Sequence, residues 1–444
     1  MTDKRVHFVS LGCPKNRVDT ETMLASLSDQ GCAMTGNPDD ADIIVVNTCA
    51  FVEDAKVESI ETILEMAQRK EQGSIEKLVV TGCLAQRYPD ELATEMPEVD
   101  HFVGTNDLNL VTEILDGRTG GRISVGDPDR REFNWDVPRY NSMGGHTAYL
   151  KVAEGCSNTC AFCIIPTLRG PQRSRSVESI VREATELAHQ GVVEFNLIAQ
   201  DLTAWGYDLE PRQNLTILLR ALVKVDGIRW IRLMYAYPRS FPKGLIELMA
   251  QEEKIVPYVD MPLQHISDSV LKGMKRGTRG EAIRKRVSEL RDAIPNICLR
   301  TTMLVGYPGE TEDDFEELLA FIREARFERL GAFAYSHEEG TPSYDLPDQL
   351  DPDTKARRLD ALMYEQRAIA RAHNEAMVGR EVEVLVEKKS DESELVWIGR
   401  TQYQAPEIDG ITYLGSADHV APGKIIKAVV TQATDYDLVA EPVE

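Results

Sequence analysis

TAYLKVAEGCSNTCAFC, residues 147–163, runs from an alternating, β-prone stretch straight into three cysteines, Cys156, Cys160 and Cys163, in the spacing C-x3-C-x2-C. Beyond it, VEFNLIAQ, WIRLMYAYP, VPYVDMPLQ, CLRTTMLVG and RLGAFAYS recur as strand candidates with amphipathic helices between them. Strand and helix in alternation from residue 147 to about 375 predict a partial or complete (β/α) barrel, which takes its ligands at the carboxyl ends of its strands. The stretch DTKARRLDALMYEQRAIARAHNEAMVG reads as the closing helix, stopped by Gly379. The cysteines thus fall on the loop after the first strand, at the ligand face.

Upstream, RVHFVSLG, DIIVVNT and KLVVTG alternate with helical stretches, the rhythm of a doubly wound parallel α/β domain over residues 1–120. Residues 121–146, with DPDRREF, DVPRYNS and MGGH, lack periodicity and read as a linker to the core domain at 147–378. Residues 379–444 alternate β-branched and polar residues between turn signals, the pattern of a small antiparallel β-barrel. The fold class expected is α/β multidomain.

With 50 Lys and Arg against 73 Asp and Glu, the 444-residue chain has a formal charge of −23, which argues against holding long nucleic acid on a general basic surface. No apolar run approaches the ~18–20 residues of a membrane helix. The start, MTDKRVHFVSLGC, has neither the apolar segment nor the cleavage site of a secretory signal, so a cytoplasmic protein is expected. In that reducing compartment eight cysteines are metal-binding or catalytic rather than a disulfide framework.

Three thiolates on one loop can hold three irons of a 4Fe–4S cluster and leave the fourth iron open to chelate a small molecule. A structural zinc site closes its tetrahedron with a fourth Cys or His, and neither His146 nor His189 has a usual zinc-ligand spacing to this run. Cys13, Cys49 and Cys83 are far apart in sequence, yet each follows a strand candidate: HFVSLGC, IIVVNTC and LVVTGC. In a parallel sheet those strand ends share one edge, where open α/β sheets bind ligands. They form either a second iron–sulfur site or three thiols buried as small hydrophobes.

The CSNTCAFC run has the pattern of the radical S-adenosylmethionine (SAM) superfamily. Together with SLGCPKN, VNTCAF and TGCLAQ it resembles the methylthiotransferase family of radical SAM enzymes, and the terminal barrel stands where that family has its TRAM domain. The resemblance implies two 4Fe–4S clusters, an auxiliary one on Cys13, Cys49 and Cys83 and a radical one on Cys156, Cys160 and Cys163. It further implies one SAM as methyl donor, a second SAM as source of the 5′-deoxyadenosyl radical, and a supply of electrons such as a flavodoxin-type reductase system. Cys32 and Cys298 match neither set and read as ordinary thiols.

The family divides between enzymes acting on adenosine in transfer RNA and one acting on an aspartate β-carbon of small-subunit ribosomal protein twelve. Residues 380–444 hold six basic and thirteen acidic residues, a charge of −7 that should repel RNA and attract a basic ribosomal protein. SLGCPKNRVDTE, CAFCIIPTLRGPQRSRS and GRTQYQAPEIDG also resemble the ribosomal-protein branch. That branch is the expectation, with transfer RNA as the alternative and a plain iron–sulfur electron carrier as the reading from another class.

Further candidates surround these motifs. Arg169, Arg173 and Arg175 could hold a carboxylate of SAM or substrate, or pair with barrel carboxylates. Gln200 and Asp201 end a strand at the ligand face, and Gly306, Pro308 and Gly309 would form a tight loop approaching the cofactor. Glu310 and Thr311 could cap the helix that follows, and His265 could be a hydrogen-bonded core residue.

Overall fold

The computed structural model describes residues 4–73, 75–115, 117–118, 121–129, 135, 137–415 and 420–443. Residues 130–134 and 136 of the expected linker, and Asp418 and Glu444 of the acidic tail, lie outside them.

Six parallel strands form the N-terminal sheet: β1 (Arg5–Ser10), β2 (Ala33–Met34), β3 (Ile43–Thr48), β4 (Lys77–Gly82), β5 (His101–Val103) and β6 (Ile123–Ser124), in the order β2-β1-β3-β4-β5-β6. β3 is buried at every position because helices cover both faces of the sheet, which is why IIVV reads as an unbroken apolar run. Its alternate residues feed two cores, Ile44 and Val46 with Leu78 and Val80 on one face, Ile43 and Val45 with Val79 on the other. β6 pairs with β5 inside the stretch expected to be a linker, since Phe102 and Val103 offer it a ladder that no sequence period announces.

The second sheet contains β7 (Thr147–Lys151), β10 (Glu194–Ile198), β11 (Trp230–Leu233), β12 (Ile255–Asp260), β13 (Cys298–Val305) and β14 (Arg329–Ala334), all parallel and in chain order, while β8 (Ala153–Glu154) and β9 (Arg173–Ser174) pair separately. With six strands and no pairing of β14 to β7, the barrel is partial. The helix Pro352–Glu375 packs on β14, and Gly379 turns the chain at positive φ three residues beyond its cap, Ala376.

Strands β15 (Glu381–Lys389), β16 (Trp397–Thr401), β17 (Thr412–Leu414), β18 (Ile425–Ala433) and β19 (Leu438–Pro442) close a barrel in the order β15-β16-β17-β19-β18. The expectation of an antiparallel barrel needs one correction: β17 and β19 run parallel. A ring with an odd number of strands cannot alternate direction at every step, so one neighbouring pair must be parallel.

Two compact units result. One joins residues 1–142 to 153–175 and 336–344; the other joins 143–152, 176–335 and 345–444. The cysteine loop after β7 therefore belongs with the N-terminal sheet. Ile164 and Leu168, both nearly solvent-free, pack into the core formed by Leu84, Ala85 and Phe102. Burying two such side chains contributes on the order of 3–6 kcal/mol.

In the second unit the β16–β17 loop sits against side chains of the core strands β7, β11 and β12. Arg232 Nη1 donates to Gln402 O at 2.7 Å, Tyr149 Oη to Glu407 at 3.0 Å and Tyr258 Oη to Asp409 at 2.7 Å. Gln200 and the 306–309 loop follow the carboxyl ends of β10 and β13.

Candidate active site

The three N-terminal cysteines lie at the ends of β1, β3 and β4, which are neighbours in the sheet. Cys13 is the N-cap of the helix Pro14–Asp29, and Pro14 suits the first helical position. Cys83 opens the helix Cys83–Arg87, and Cys49 is clamped by Ser59, whose Oγ accepts from Cys49 N at 3.0 Å and donates to Cys49 O at 2.9 Å. Gly12 adopts φ +86°, and a Cβ there would stand 2.8 Å from Cys49 Cβ; only glycine lets these two loops touch.

Asn16, fully buried three residues after Cys13, ties the loops together. Its Nδ2 donates to Leu11 O at 3.0 Å and Thr48 O at 2.9 Å, and its Oδ1 lies 3.9 Å from Cys13 Sγ and 4.0 Å from Cys83 Sγ. Burial pushes the Cys83 thiol up to about 12 and raises Cys49, each reinforced by neighbouring thiols and opposed by Arg169. The thiols of Cys13 and Cys49 are thus near enough to be felt at Cys83, and that of Cys13 at Cys49.

Cys156, Cys160 and Cys163 share the loop closed by β8 and β9. Cys156 N donates to Gly170 O at 3.0 Å, Cys163 N to Cys160 O at 3.1 Å, and Asn158 Nδ2 to Cys156 Sγ at 3.5 Å. At Gly155, φ is +77° and a Cβ would strike the carbonyls of Gly170 and Pro171.

Arg169 joins the two cysteine loops. Its Nη1 meets both carboxylate oxygens of Glu154 at 3.0 Å, and its Nη2 reaches Asn16 Oδ1 at 2.6 Å, Asp19 Oδ2 at 3.0 Å and Cys83 Sγ at 3.8 Å. Burial opposes its charge, but Glu154, Cys83 and Asp19 outweigh that and raise its pKa. Arg169, expected among the cofactor contacts, is thus enclosed by the protein's own acids, because those acids lie on the helix and strand that carry the cysteines. Arg173 donates to the Arg169 and Pro128 carbonyls, and Arg175 stacks over Trp135.

Asp201 is buried and caps a short 3-10 turn through Thr203 Oγ1 at 2.7 Å and Ala204 N at 3.2 Å; Gln200 beside it is half-buried. Gly306 and Gly309 both have positive φ, and Glu310 accepts from Gly306 N at 2.7 Å and from Arg358, fixing the loop. Lys355 lies against Gly306, on the side where a Cβ would project. Thr311 caps the next helix in a capping box with Asp314. His265 is a core residue: its Nδ1 accepts from Ser267 N at 3.1 Å, and burial holds it neutral, down to about 3. Sequence reasoning missed Asn16, Asp19 and Glu154. Their signal was polar residues within six positions of a cysteine on elements that should be buried.

Among the described residues no group of three His, Cys, Asp or Glu is arranged to hold a single metal ion. Three thiols on separate loops beside a buried guanidinium suit a cluster instead, whose irons each take one thiolate and whose net negative charge the cation would balance.

Residues 5–104 match the uncharacterized protein family UPF0004, residues 150–322 the radical SAM superfamily and residues 378–443 the TRAM domain. Among solved structures, the radical SAM methyltransferase TsrM from Kitasatospora setae aligns over 78% of this chain and 77% of its own, with a TM-score of 0.57 and 17% identity. The cobalamin-dependent radical SAM enzyme OxsB covers 82% of this chain and 56% of its own, with a TM-score of 0.51 and 16% identity. At that identity the likeness is one of fold. The protein is thus a radical SAM enzyme with an added N-terminal domain and a terminal TRAM barrel. Its sequence is 54% identical to the ribosomal protein uS12 methylthiotransferase RimO of Anaeromyxobacter sp. (strain K) over 99% of this chain and 93% of that one. It is 52% identical to the protein of the same name in Myxococcus xanthus (strain DK1622), over 100% and 92%. The chain belongs to the RimO family of radical SAM methylthiotransferases.

Proposed function

We propose that the protein methylthiolates the β-carbon of an aspartate in ribosomal protein uS12, using two 4Fe–4S clusters held by Cys13, Cys49 and Cys83 and by Cys156, Cys160 and Cys163. One SAM is the methyl donor and a second is the radical source. The observation that carries this reading is that both cysteine triplets belong to one compact unit and are linked through Arg169. When bound, the clusters and SAM supply the sulfur, the electron and the hydrogen abstraction that an unactivated carbon requires.

The chain's own residues do the positioning. Asn16 and Ser59 fix the three N-terminal loops, Gly155 lets the second loop pack down, and burial of Cys49 and Cys83 keeps water from the sulfurs. Gln200, with Asp201 behind it, and the Gly306–Gly309 turn are the SAM contacts we assign, at the carboxyl ends of β10 and β13. The acidic terminal barrel would draw the basic substrate by its long-range field. A flavodoxin-type system supplies electrons in the cytoplasm, and neither a membrane nor direct nucleic-acid binding takes part. Among the described residues no helix is long and apolar enough to cross a membrane.

Anaerobic incubation of reconstituted protein with SAM, reductant and purified uS12, read by mass spectrometry, tests the proposal. A gain of one methylthio group on an aspartate is expected. No gain with 5′-deoxyadenosine still formed would move the substrate to transfer RNA, and no 5′-deoxyadenosine would leave only an electron carrier.

A further inference from the structure

Arg169 is a fully buried cation that meets Cys83 of one cysteine set and Glu154, two residues before Cys156 of the other, yet no sequence motif assigns it a task beyond holding a carboxylate. Its Nη2 points at Cys83 Sγ from 3.8 Å and shares Asn16 Oδ1, at 2.6 Å, with the thiols of Cys13 and Cys83. Two counter-charges flank it, Asp19 at 3.0 Å and Glu154 at 3.0 Å. A guanidinium that donates to a ligating sulfur favours the form of a cluster with more negative charge, which is the reduced one. The exposure of 1% matters here, because solvent does not screen the interaction.

Resting on the cluster reading above, we propose that Arg169 is a positioning residue that sets the reduction potential of the cluster on Cys13, Cys49 and Cys83, with Asp19 as the opposing charge. Removing the cation makes that cluster harder to reduce; neutralising Asp19 makes it easier. A residue that only holds the loops in place would give no such opposition of sign.

The test uses the full-length chain with Cys156, Cys160 and Cys163 changed to Ala, reconstituted with iron and sulfide, so that one cluster of about four irons is present. Midpoint potentials are read by EPR-monitored redox titration for this chain and for its Arg169→Gln and Asp19→Asn forms. The potential should fall in Arg169→Gln and rise in Asp19→Asn, each by at least a threefold change in the one-electron equilibrium, about 28 mV at 59 mV per decade. Loaded variants with unmoved potentials, or with shifts of one sign, overturn the proposal. Should Arg169→Gln fail to take up iron, Asp19→Asn decides alone: a rise supports the proposal and anything else overturns it. A parent chain that takes up no iron sinks the second-cluster reading instead, which separates the two failures.

Discussion

Arg400 on β16 grips both carboxylate oxygens of Glu194 on β10, with Nη1 at 3.1 Å and Nη2 at 2.5 Å, and both side chains are buried. Arg232 reaches the same carboxylate from β11 at 3.0 Å, so one acid locks the terminal barrel to the core sheet. Burial alone would raise the Glu194 pKa, but the two arginines outweigh it and hold it down at about 2. Because the folded carboxyl titrates below its ordinary value of 4.5, the unfolded chain takes up the proton first as pH falls. This contribution to stability is complete above about pH 4.5 and lost between there and about pH 2. Arg400→Ala should destabilise the second unit by about 1.5–3 kcal/mol at neutral pH, the loss of one of the two cations bonded to a buried carboxylate. Thermal unfolding followed from pH 7 to pH 3 should show the acid loss in the parent and a shallower one in Glu194→Gln.

Gly155→Ala places a methyl group against the Gly170 and Pro171 carbonyls at a backbone angle that alanine disfavours. The loop carrying Cys156 must then shift, while the loops of Cys13, Cys49 and Cys83 keep their own packing. Iron per chain should fall by about half, the content of one cluster of two, and cleavage of SAM to 5′-deoxyadenosine should be lost. Full iron content with normal cleavage would show that the loop tolerates the methyl.

Much of this arrangement was legible because strand-end chemistry is local. Cys13, Cys49 and Cys83 each follow an apolar run, and the parallel sheet brings the ends of β1, β3 and β4 side by side without further information. Arg169 was legible as a residue that would hold or pair with a carboxylate, but its partners were not, since Asp19 and Glu154 lie 150 and 15 positions away and only tertiary packing unites them. The terminal barrel shows the same limit. Arg400 and Asp409 entered the count of surface charge, yet both are spent on docking to the core. GRTQYQAPEIDG, read as a mark of the substrate branch, forms the loop that meets Tyr149, Arg232 and Tyr258.

Thr311→Ala removes the capping box at the start of the helix Glu312–Ala325, where Thr311 Oγ1 accepts from Asp314 N at 3.2 Å and Asp314 Oδ2 accepts from Thr311 N at 3.0 Å. The loss should be about 1 kcal/mol. Glu310, which fixes the Gly306 loop, keeps its bonds to Gly306 N and Arg358. A lower denaturant midpoint with unchanged SAM affinity is therefore expected. A marked loss of SAM binding would show that the cap and the cofactor loop act as one element.

The barrel's acidic surface offers a test of substrate recruitment that leaves the cysteine loops untouched. Asp391, Glu392 and Glu394 lie exposed in the β15–β16 turn, far along the chain from the strand ends assigned to SAM. Changing all three to Lys takes the tail from −7 to −1 while leaving the Arg400–Glu194 lock in place. If the field of this barrel draws in a basic protein, the KM for uS12 should rise several-fold at low salt. The difference should vanish as ionic strength approaches about 1 M, where the Debye length shrinks to about 3 Å. SAM cleavage without uS12 should not change, because no altered residue touches the core. A KM equal to that of the parent at low salt would assign the acidic surface to solubility alone and move recognition of the substrate to the core or the N-terminal domain.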